Sequence, residues 1–341
     1  MPPHSEFFVD TDDELPSNIP LRKHIFEGSE SMRTLLRNCV SAAAVAATFA
    51  IAITNAFAQI SPPSVCANLQ PGTFPKVWNY GANCEKEPKY QVHQYNKTTF
   101  VLRQSLCTTL EGPLNYLLFG ENRVLLIDTG TGTAPIRETV DHVIETYLSD
   151  NNLKPMPLIV AHSHSHKDHI GGDPQFKDRP DTTIVKYTPE DVAAFFGIKD
   201  WPHGISELDL GDRKLQIRAI PGHEPAHIAF YDFNTGLLFS GDTLYPGRLY
   251  FPKFAFNDYS ASVKRLANLA DSHPVCHVLG GHIEATKTPK VTFPFLARYH
   301  PNEHPLQLSQ FHIFLLDSVV SAMDEDPDLS IQDSFTVYPL P

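Results

Sequence analysis

The feature that most constrains this chain is a short segment crowded with side chains of the kind that bind metals. The sequence AHSHSHKDHIGG begins at residue 161 and holds four histidines and one aspartate within eight residues. Residues two apart in an extended segment project to the same side, so we expect His164 and His166 to face one point. Asp168 and His169 follow and can face a neighbouring point. Imidazole and carboxylate are ligands of Zn²⁺, iron and Mn²⁺. A solvated, histidine-rich surface tract is the alternative for this segment alone.

Three later residues repeat one pattern, a polar side chain that follows a glycine at the end of an apolar run. They are His223, Asp242 and His282. Side chains just beyond strand ends commonly form sites on a rigid scaffold, so we expect these three to join the first segment. We interpret His227 as a packed residue, and we expect His162 to lie outside the ligand set.

The motif HxHxDH at 164–169, with Gly-His at 223, Gly-Asp at 242 and Gly-His at 282, resembles the metallo-β-lactamase fold superfamily. The order and approximate spacing match over about residues 90–290, and the run Ile127–Gly130 (IDTG) matches a further hallmark. The resemblance implies an α/β (α+β) fold, a four-layer αββα sandwich with the metals at one edge. It specifies the superfamily well and the substrate poorly, because the fold carries many reactions.

Carried over by position, the resemblance implies two divalent metal ions, Zn²⁺ foremost, with iron or manganese as alternatives. His164, His166 and His223 would bind the first ion, Asp168, His169 and His282 the second, and Asp242 would bridge them. A water shared by the two ions would lose a proton near neutral pH and attack a carbonyl, with Asp168 as the catalytic residue that orients it. Asp128 would steady the ligand segment; a turn-capping role is the equal alternative.

An aromatic-rich segment, Leu244–Phe256, follows Asp242 and is expected to be a loop that forms an apolar wall of a substrate pocket. Within it, Tyr245 or Tyr250 could donate a hydrogen bond to a developing oxyanion, and Arg248 is a further pocket residue. Ordinary packing is the alternative for most of these side chains.

The favoured function is a metal-dependent hydrolase that cleaves an ester, lactone, thioester or amide, with a lactonase-like or esterase-like activity preferred. A β-lactamase is one alternative, but Asp242 stands where the familiar subclasses tend to place Cys or Ser. A persulfide-dioxygenase-like oxidoreductase with a single iron is another. A catalytically inactive binding module is least favoured, because every ligand type is present. The net charge of −12 argues against a nucleic-acid substrate, so a small molecule is expected.

The N-terminal region has the three-part pattern of a signal peptide. Residues 32–58 hold a basic start with Arg33 and Arg37, an apolar run from about Val40 to Ile53, and a small-x-small site that predicts cleavage after Ala58. A membrane anchor is the alternative, though the run is short for a span. We therefore expect a periplasmic or secreted enzyme without stable membrane insertion after cleavage. The residues before Met32 are interpreted as a mis-called start or an unstructured leader.

The rest of the chain is expected to comprise an irregular arm at 59–88, a catalytic domain at 89–290 and a C-terminal segment at 291–341 with one helix. The oligomeric state is left open. Four cysteines remain after cleavage: Cys66, Cys84, Cys107 and Cys276. In an exported chain these permit disulfides. Cys66 and Cys84 are close in sequence and are the first pairing expected, with four free thiols as the alternative.

Local patterns predict a mixture of strands and helices. Strands are predicted at 97–104, 115–119, 123–128, 158–161, 183–187, 215–220, 228–232, 237–240 and 275–279. Helices are predicted at 135–148, from a Thr188 cap to Phe196, at 259–270 and at 305–323.

Overall fold

The computed structural model describes residues 64–341. The predicted signal peptide, its cleavage site and the predicted leader therefore lie outside the described residues. A 3₁₀ turn at Ser64–Asn68 comes first, and the described chain then has no helix or strand before Tyr90. None of the described helices combines the length and the apolar character that crossing a bilayer requires.

Two sheets dominate the structure. The first has six strands in sequence order, antiparallel up to its fourth strand and parallel beyond it. Its strands are β1 (Tyr90–Asn96), β2 (Thr99–Gln104), β3 (Leu114–Phe119), β4 (Val124–Ile127), β5 (Leu158–Ala161) and β6 (Thr182–Ile184). The second sheet is built from β7 (Ile205–Asp209), β8 (Lys214–Ala219), β9 (Ile228–Asp232), β10 (Leu237–Gly241) and β12 (His277–Gly280). Its strand order is β12-β10-β9-β8-β7.

Helices cover the outer faces of the two sheets. The described helices are α1 (Ile136–Asp150), α2 (Lys167–Ile170), α3 (Pro189–Phe196), α4 (Phe256–Ser272) and α5 (Gln310–Ser321). The buried side chains of α1 share a core with the first sheet, and those of α4 and α5 share a core with the second. A small third sheet has the order β11-β14-β13, with β11 (Arg248–Pro252), β13 (Ser330–Ile331) and β14 (Thr336–Leu340).

The alternation of side chains along buried strands produces the layers. In β4, Leu125 and Ile127 belong to the core between the sheets, whereas Val124 and Leu126 pack towards α1. Strand β10 repeats this on the second sheet: Leu237 and Phe239 belong to the core between the sheets, and Leu238 packs towards α4 and α5. Because both faces of these strands are covered, they contain continuous apolar runs. The fold is thus the αββα sandwich that the sequence predicts.

Most predicted elements are present, and local chemistry explains their ends. Thr188 caps α3 by accepting a hydrogen bond from the backbone N–H of Asp191 at 3.2 Å. Gly197 ends this helix in the left-handed conformation, at φ +73°. The turn from Gly120 joins β3 to β4, and the Gly120 N–H donates to the carbonyl of Arg123.

Two predicted elements differ from the structure. The segment 244–256 is not a loop throughout, because β11 pairs in parallel with β14 in the third sheet. The last long helix begins at Gln310 rather than Pro305. Leu308 pairs its backbone with Val278 instead, and Ser309 then caps α5.

The predicted disulfide between Cys66 and Cys84 is wrong. Cys66 is bonded to Cys276, and Cys84 to Cys107. The first bond joins the 3₁₀ turn to the residue before β12, at a sequence separation of 210. Proximity in sequence misled the prediction, because the sheet brings a distant cysteine closer to Cys66 than its sequence neighbour.

Candidate metal centre

The predicted ligands converge at one edge of the two sheets. Each lies in the segment after a strand: His164 and His166 follow β5, Asp168 and His169 lie in the short helix α2, and His223, Asp242 and His282 follow β8, β10 and β12. They form two groups whose ligand atoms could each hold a metal ion.

The first group consists of three imidazoles. His164 Nε2 lies 3.0 Å from His166 Nδ1 and 3.2 Å from His223 Nε2. His223 Nε2 is 3.0 Å from His166 Nδ1, which closes the triangle. His166 is exposed, whereas the other two are buried, so the group opens to solvent on one side.

The second group combines two imidazoles with two carboxylates. His169 Nε2 lies 3.3 Å from Asp168 Oδ2 and 3.5 Å from Asp242 Oδ1. His282 Nε2 lies 3.1 Å from Asp168 Oδ2 and 3.4 Å from Asp242 Oδ2.

Asp242 also reaches the first group. Its Oδ2 atom lies 3.7 Å from His223 Nε2 and 3.9 Å from His164 Nε2. This one carboxylate is therefore placed between the two groups.

Hydrogen bonds at the outer ring nitrogens orient three of the imidazoles. His223 Nδ1 donates to the Tyr250 carbonyl at 2.6 Å, and His282 Nδ1 donates to the Glu111 carbonyl at 3.0 Å. His169 Nδ1 is 2.8 Å from a carboxylate oxygen of Asp128. With the proton on Nδ1, a neutral ring points the lone pair of Nε2 into the centre, as metal ligation requires.

The residues present fit a pair of cations. His169 Nε2 and Asp242 Oδ1 are buried and have no hydrogen-bond partner among the described residues. In the first group, three nitrogen atoms face one another with too few protons to bridge every pair. Orphaned buried polar atoms are costly, and a divalent ion in each group would satisfy them.

Burial and charge act differently on the two groups. Burial, reinforced by neighbouring imidazoles, holds the pKa values of His164 and His223 below the ordinary histidine range, which favours their neutral form. Burial has the same tendency at His169 and His282, but the nearby carboxylates outweigh it and raise both pKa values. Although burial opposes ionisation of Asp242, the adjacent imidazoles hold its pKa well below its usual range.

Asp128 supports the ligand segment directly. Its Oδ1 atom accepts the backbone N–H of Ser163 at 2.6 Å, and Oδ2 accepts the Ser163 hydroxyl at 2.9 Å. Since Oδ2 also bonds His169, the carboxylate joins both ends of the turn that carries the HxHxDH motif. The steadying role that the resemblance implies for Asp128 stays a prediction beside the turn-capping alternative.

The two remaining histidines near the motif belong to neither ligand group. His162 Nε2 contacts Asp173 Oδ1 at 2.8 Å. His227 is buried, with its Nδ1 atom 3.2 Å from the Thr243 hydroxyl.

A cavity of about 440 Å³ opens over the ligands. The predicted pocket residues Tyr245, Arg248 and Tyr250 all line it. The Tyr245 hydroxyl donates to the Arg248 carbonyl and lies 3.2 Å from Glu284 Oε2. Its proton is therefore already engaged in a hydrogen bond within the protein. The Tyr250 hydroxyl is buried without a hydrogen bond to any described residue.

A further part of the cavity wall comes from residues that the sequence did not single out. They lie in the C-terminal segment and are Phe293, Pro294, Phe295, Leu296, Ala297, His300 and Leu340. Apolar residues in a segment without periodic pattern give no signal of a site, so composition alone could not have found this wall.

The fold and the paired His/Asp groups define an α/β protein with a candidate site for metal ions. Residues 109–282, about half of the chain, match the Metallo-beta-lactamase superfamily. The chain belongs to this superfamily.

Similar proteins include hydrolases. The acyl-coenzyme A thioesterase MBLAC2 of Bos taurus is 28% identical over 200 residues, which cover 49% of this chain and 71% of that protein. A hydroxyacylglutathione hydrolase of Serratia proteamaculans (strain 568) is 29% identical over 168 residues, covering 48% and 60% respectively. A solved metallo-beta-lactamase from Pontibacter korlensis has a TM-score of 0.46 and 15% identity, with coverage of 69% of this chain and 100% of that chain.

Proposed function

We propose that this chain hydrolyses a carboxylic ester, lactone or thioester at a centre of two divalent ions, with zinc as the preferred metal. The position of Asp242 carries the proposal. Its carboxylate lies within 4 Å of ligand nitrogens from both groups. A single carboxylate placed in this way suits two ions that act together.

Two ions held there would supply an activated water at neutral pH and polarise the substrate carbonyl. The residues of the chain would do the rest. Asp168 lines the cavity, so its carboxylate can orient the attacking water and receive its proton. Tyr250 lines the cavity and would donate its hydroxyl to the oxygen that gains negative charge.

The relatives support an acyl substrate. One is named as a thioesterase of acyl-coenzyme A and the other as a hydrolase of hydroxyacylglutathione. Both names describe removal of an acyl group from a thiol carrier. An acyl ester or thioester is therefore the first substrate class to test, with lactones beside it.

We also propose that the enzyme is exported, as the signal-like segment predicts. Two disulfides support this proposal, because such bonds persist in oxidising compartments and are rare in the cytosol.

A hydrolysis panel on the purified chain, with metal content measured in parallel, tests the function. Aryl esters, acyl-homoserine lactones, acyl-coenzyme A and nitrocefin cover the competing substrate classes. We expect two zinc ions per chain, turnover of an ester, lactone or thioester, and loss of activity on chelation that added zinc restores. A single iron with oxygen uptake would overturn the proposal in favour of a dioxygenase, and nitrocefin turnover alone would favour a β-lactamase.

The variant Asp242→Asn tests the role of the carboxylate that lies between the two groups. We expect kcat/KM to fall by more than about a hundredfold, because loss of even an outer partner of a metal ligand costs about 10–100-fold. Asp141→Asn is the control, since Asp141 pairs with Arg179 on the outer face of α1. Equal activities of the two variants would contradict the proposed role of Asp242.

A further inference from the structure

The mouth of the cavity carries large apolar side chains that face solvent. Phe295 is 62% exposed and Leu296 is 75% exposed, and Leu340 lies beside them on the cavity wall. We call these three residues the apolar rim. Contiguous exposed apolar residues around a cleft mark a surface that binds something. The rim lies beyond residues 109–282, the part that matches the superfamily.

The backbone of the rim is held in an unusual conformation. Leu296 has a φ of +63°, in the left-handed region that non-glycine residues rarely occupy. Such conformations are unfavourable and persist where the surroundings impose them, often at ligand-binding sites.

Arg248 contacts the Phe295 end of the rim. Its guanidinium carbon lies 4.3 Å from the centre of the Phe295 ring, and Nη2 donates to the Phe293 carbonyl. Its Nη1 atom pairs with Glu284 at 3.4 Å. Arg248 is only 7% exposed, so its charge is committed to these protein groups rather than available to a substrate.

From this arrangement we infer that the apolar rim is the specificity-determining wall of the site, and that it selects substrates with an uncharged alkyl or aryl group. Arg248 acts as a positioning residue for the rim. The inference rests on the proposed function, because it assigns the substrate class of the same site. A polar rim would be expected if the substrate were charged next to its scissile bond.

Burial of a methylene group contributes about fourfold in affinity, so length dependence is the signature of this wall. The first test is equilibrium binding of butanamide, hexanamide and octanamide to chelator-treated protein, measured by calorimetry. Uncleaved amides and metal-free protein separate this test from hydrolysis. We expect the affinity to rise by about fourfold per methylene until the wall is covered.

The double variant Phe295→Ser with Leu296→Ser should remove most of this length dependence. Because both side chains are exposed, the fold should tolerate the change. Phe254→Ser is the matched control, since Phe254 is 90% exposed and lies outside the cavity lining. Equal length dependence in the double variant and the wild type would overturn the inference.

Kinetics then show which part of the substrate contacts the rim. One ester series varies the acyl chain with a constant leaving group, and a second varies the leaving group with a constant acyl chain. The double variant Phe295→Ser with Leu296→Ser should lower kcat/KM for long chains in only one of the two series. That series is the one in which the varied group contacts the rim. Arg248→Lys should raise KM for those long-chain substrates by a larger factor than for the shortest ester. An equal loss on short and long substrates would refute the positioning role.

The two proposals fail in different ways. Length-dependent amide binding without hydrolysis of any ester, lactone or thioester would leave the rim assignment intact and refute the proposed reaction. Hydrolysis without a chain-length preference in either series would support the proposed reaction and refute the rim assignment.

Discussion

Asp128 shows how one residue can organise a ligand segment. Its backbone is in the left-handed region at φ +66°, and its carboxylate accepts bonds from both ends of the turn that carries the HxHxDH motif. Aspartate tolerates this conformation better than most residues, because its short side chain can bond locally. The conformation and the contacts together place His169 for ligation.

Asp128→Asn should therefore weaken metal binding without removing a ligand. An amide cannot supply two acceptor oxygens to Ser163 and His169, so the imidazole would lose its fixed orientation. We expect zinc affinity to fall by about 10–100-fold, measured by competition with a chromogenic chelator. Asp141→Asn, on the outer face of α1, should bind zinc as the wild type does. Wild-type affinity in Asp128→Asn would mean that the carboxylate only caps the turn.

Tyr250 is the second residue with a testable role. Burial, with the charge of Glu284, raises its pKa above the ordinary tyrosine range, so the hydroxyl stays protonated as a donor. Tyr250→Phe should lower kcat by about a hundredfold with little change in KM, as expected for a donor that acts in the transition state. Tyr338→Phe is the control, because its ring packs 5.1 Å from Tyr250. Unchanged kcat in Tyr250→Phe would exclude this role.

The sequence identified the ligand residues but not the whole pocket wall, and the reason is chemical. Histidine and aspartate after strand ends carry a recognisable signal, and all seven predicted ligands lie in the two groups. Tyr245 and Tyr250 were equivalent in sequence, and only hydrogen bonding distinguishes them. Phe295 carries no local signal, because its position depends on contact with Arg248 from a distant strand.

At the scale of elements, the predictable strands are those buried on both faces. Strands β4, β5 and β10 have uninterrupted apolar runs, and their positions were predicted within a few residues. Strands β1 and β7 were missed, because each lies at a sheet edge and has no continuous apolar run. β11 and β14 pair across more than eighty residues of chain, which no local pattern can indicate.

The start of α5 contains a histidine that should make stability depend on pH. His312 occupies the third helical position, where its Nδ1 atom accepts the backbone N–H of Ser309 at 3.1 Å. Burial, with a contribution from His304, lowers the pKa of His312 to about 4. An unfolded histidine has a pKa of about 6.5, so the unfolded chain binds more protons between these values. Stability should therefore fall as the pH is lowered through this window.

His312→Gln should remove this contribution and keep the helix cap, because glutamine accepts the same backbone bond. Between pH 6.5 and about 4, the wild type should lose up to about 3 kcal/mol more unfolding free energy than the variant. Urea unfolding of both chelator-treated proteins across this range measures the difference. Parallel pH profiles would show that His312 is not responsible.

At the scale of the whole molecule, contacts between residues that are far apart in sequence hold the sandwich together. Arg213 shows this directly: it donates to the Thr98 carbonyl of the β1–β2 turn and pairs at 2.6 Å with Asp232 of the second sheet. Both charges are buried, so each depends on the other for compensation. Such pairs depend on the finished topology, which is why the layers were predictable from patterns and the links between them were not.

The two disulfides differ in the length of chain they close, and this predicts unequal effects on stability. The Cys66–Cys276 bond spans 210 residues and the Cys84–Cys107 bond spans 23. A longer closed loop restricts the unfolded chain more, so removal of the first bond should cost roughly 5 kcal/mol and removal of the second roughly 3 kcal/mol. Double alanine variants of each pair, compared by urea unfolding, measure both costs without burying a new hydroxyl group. Because Cys66 joins the 3₁₀ turn at Ser64–Asn68 to the residue before β12, the first variant should also release that turn to proteolysis. A larger loss from the shorter loop would show that native-state packing, rather than chain entropy, sets the contribution of these bonds.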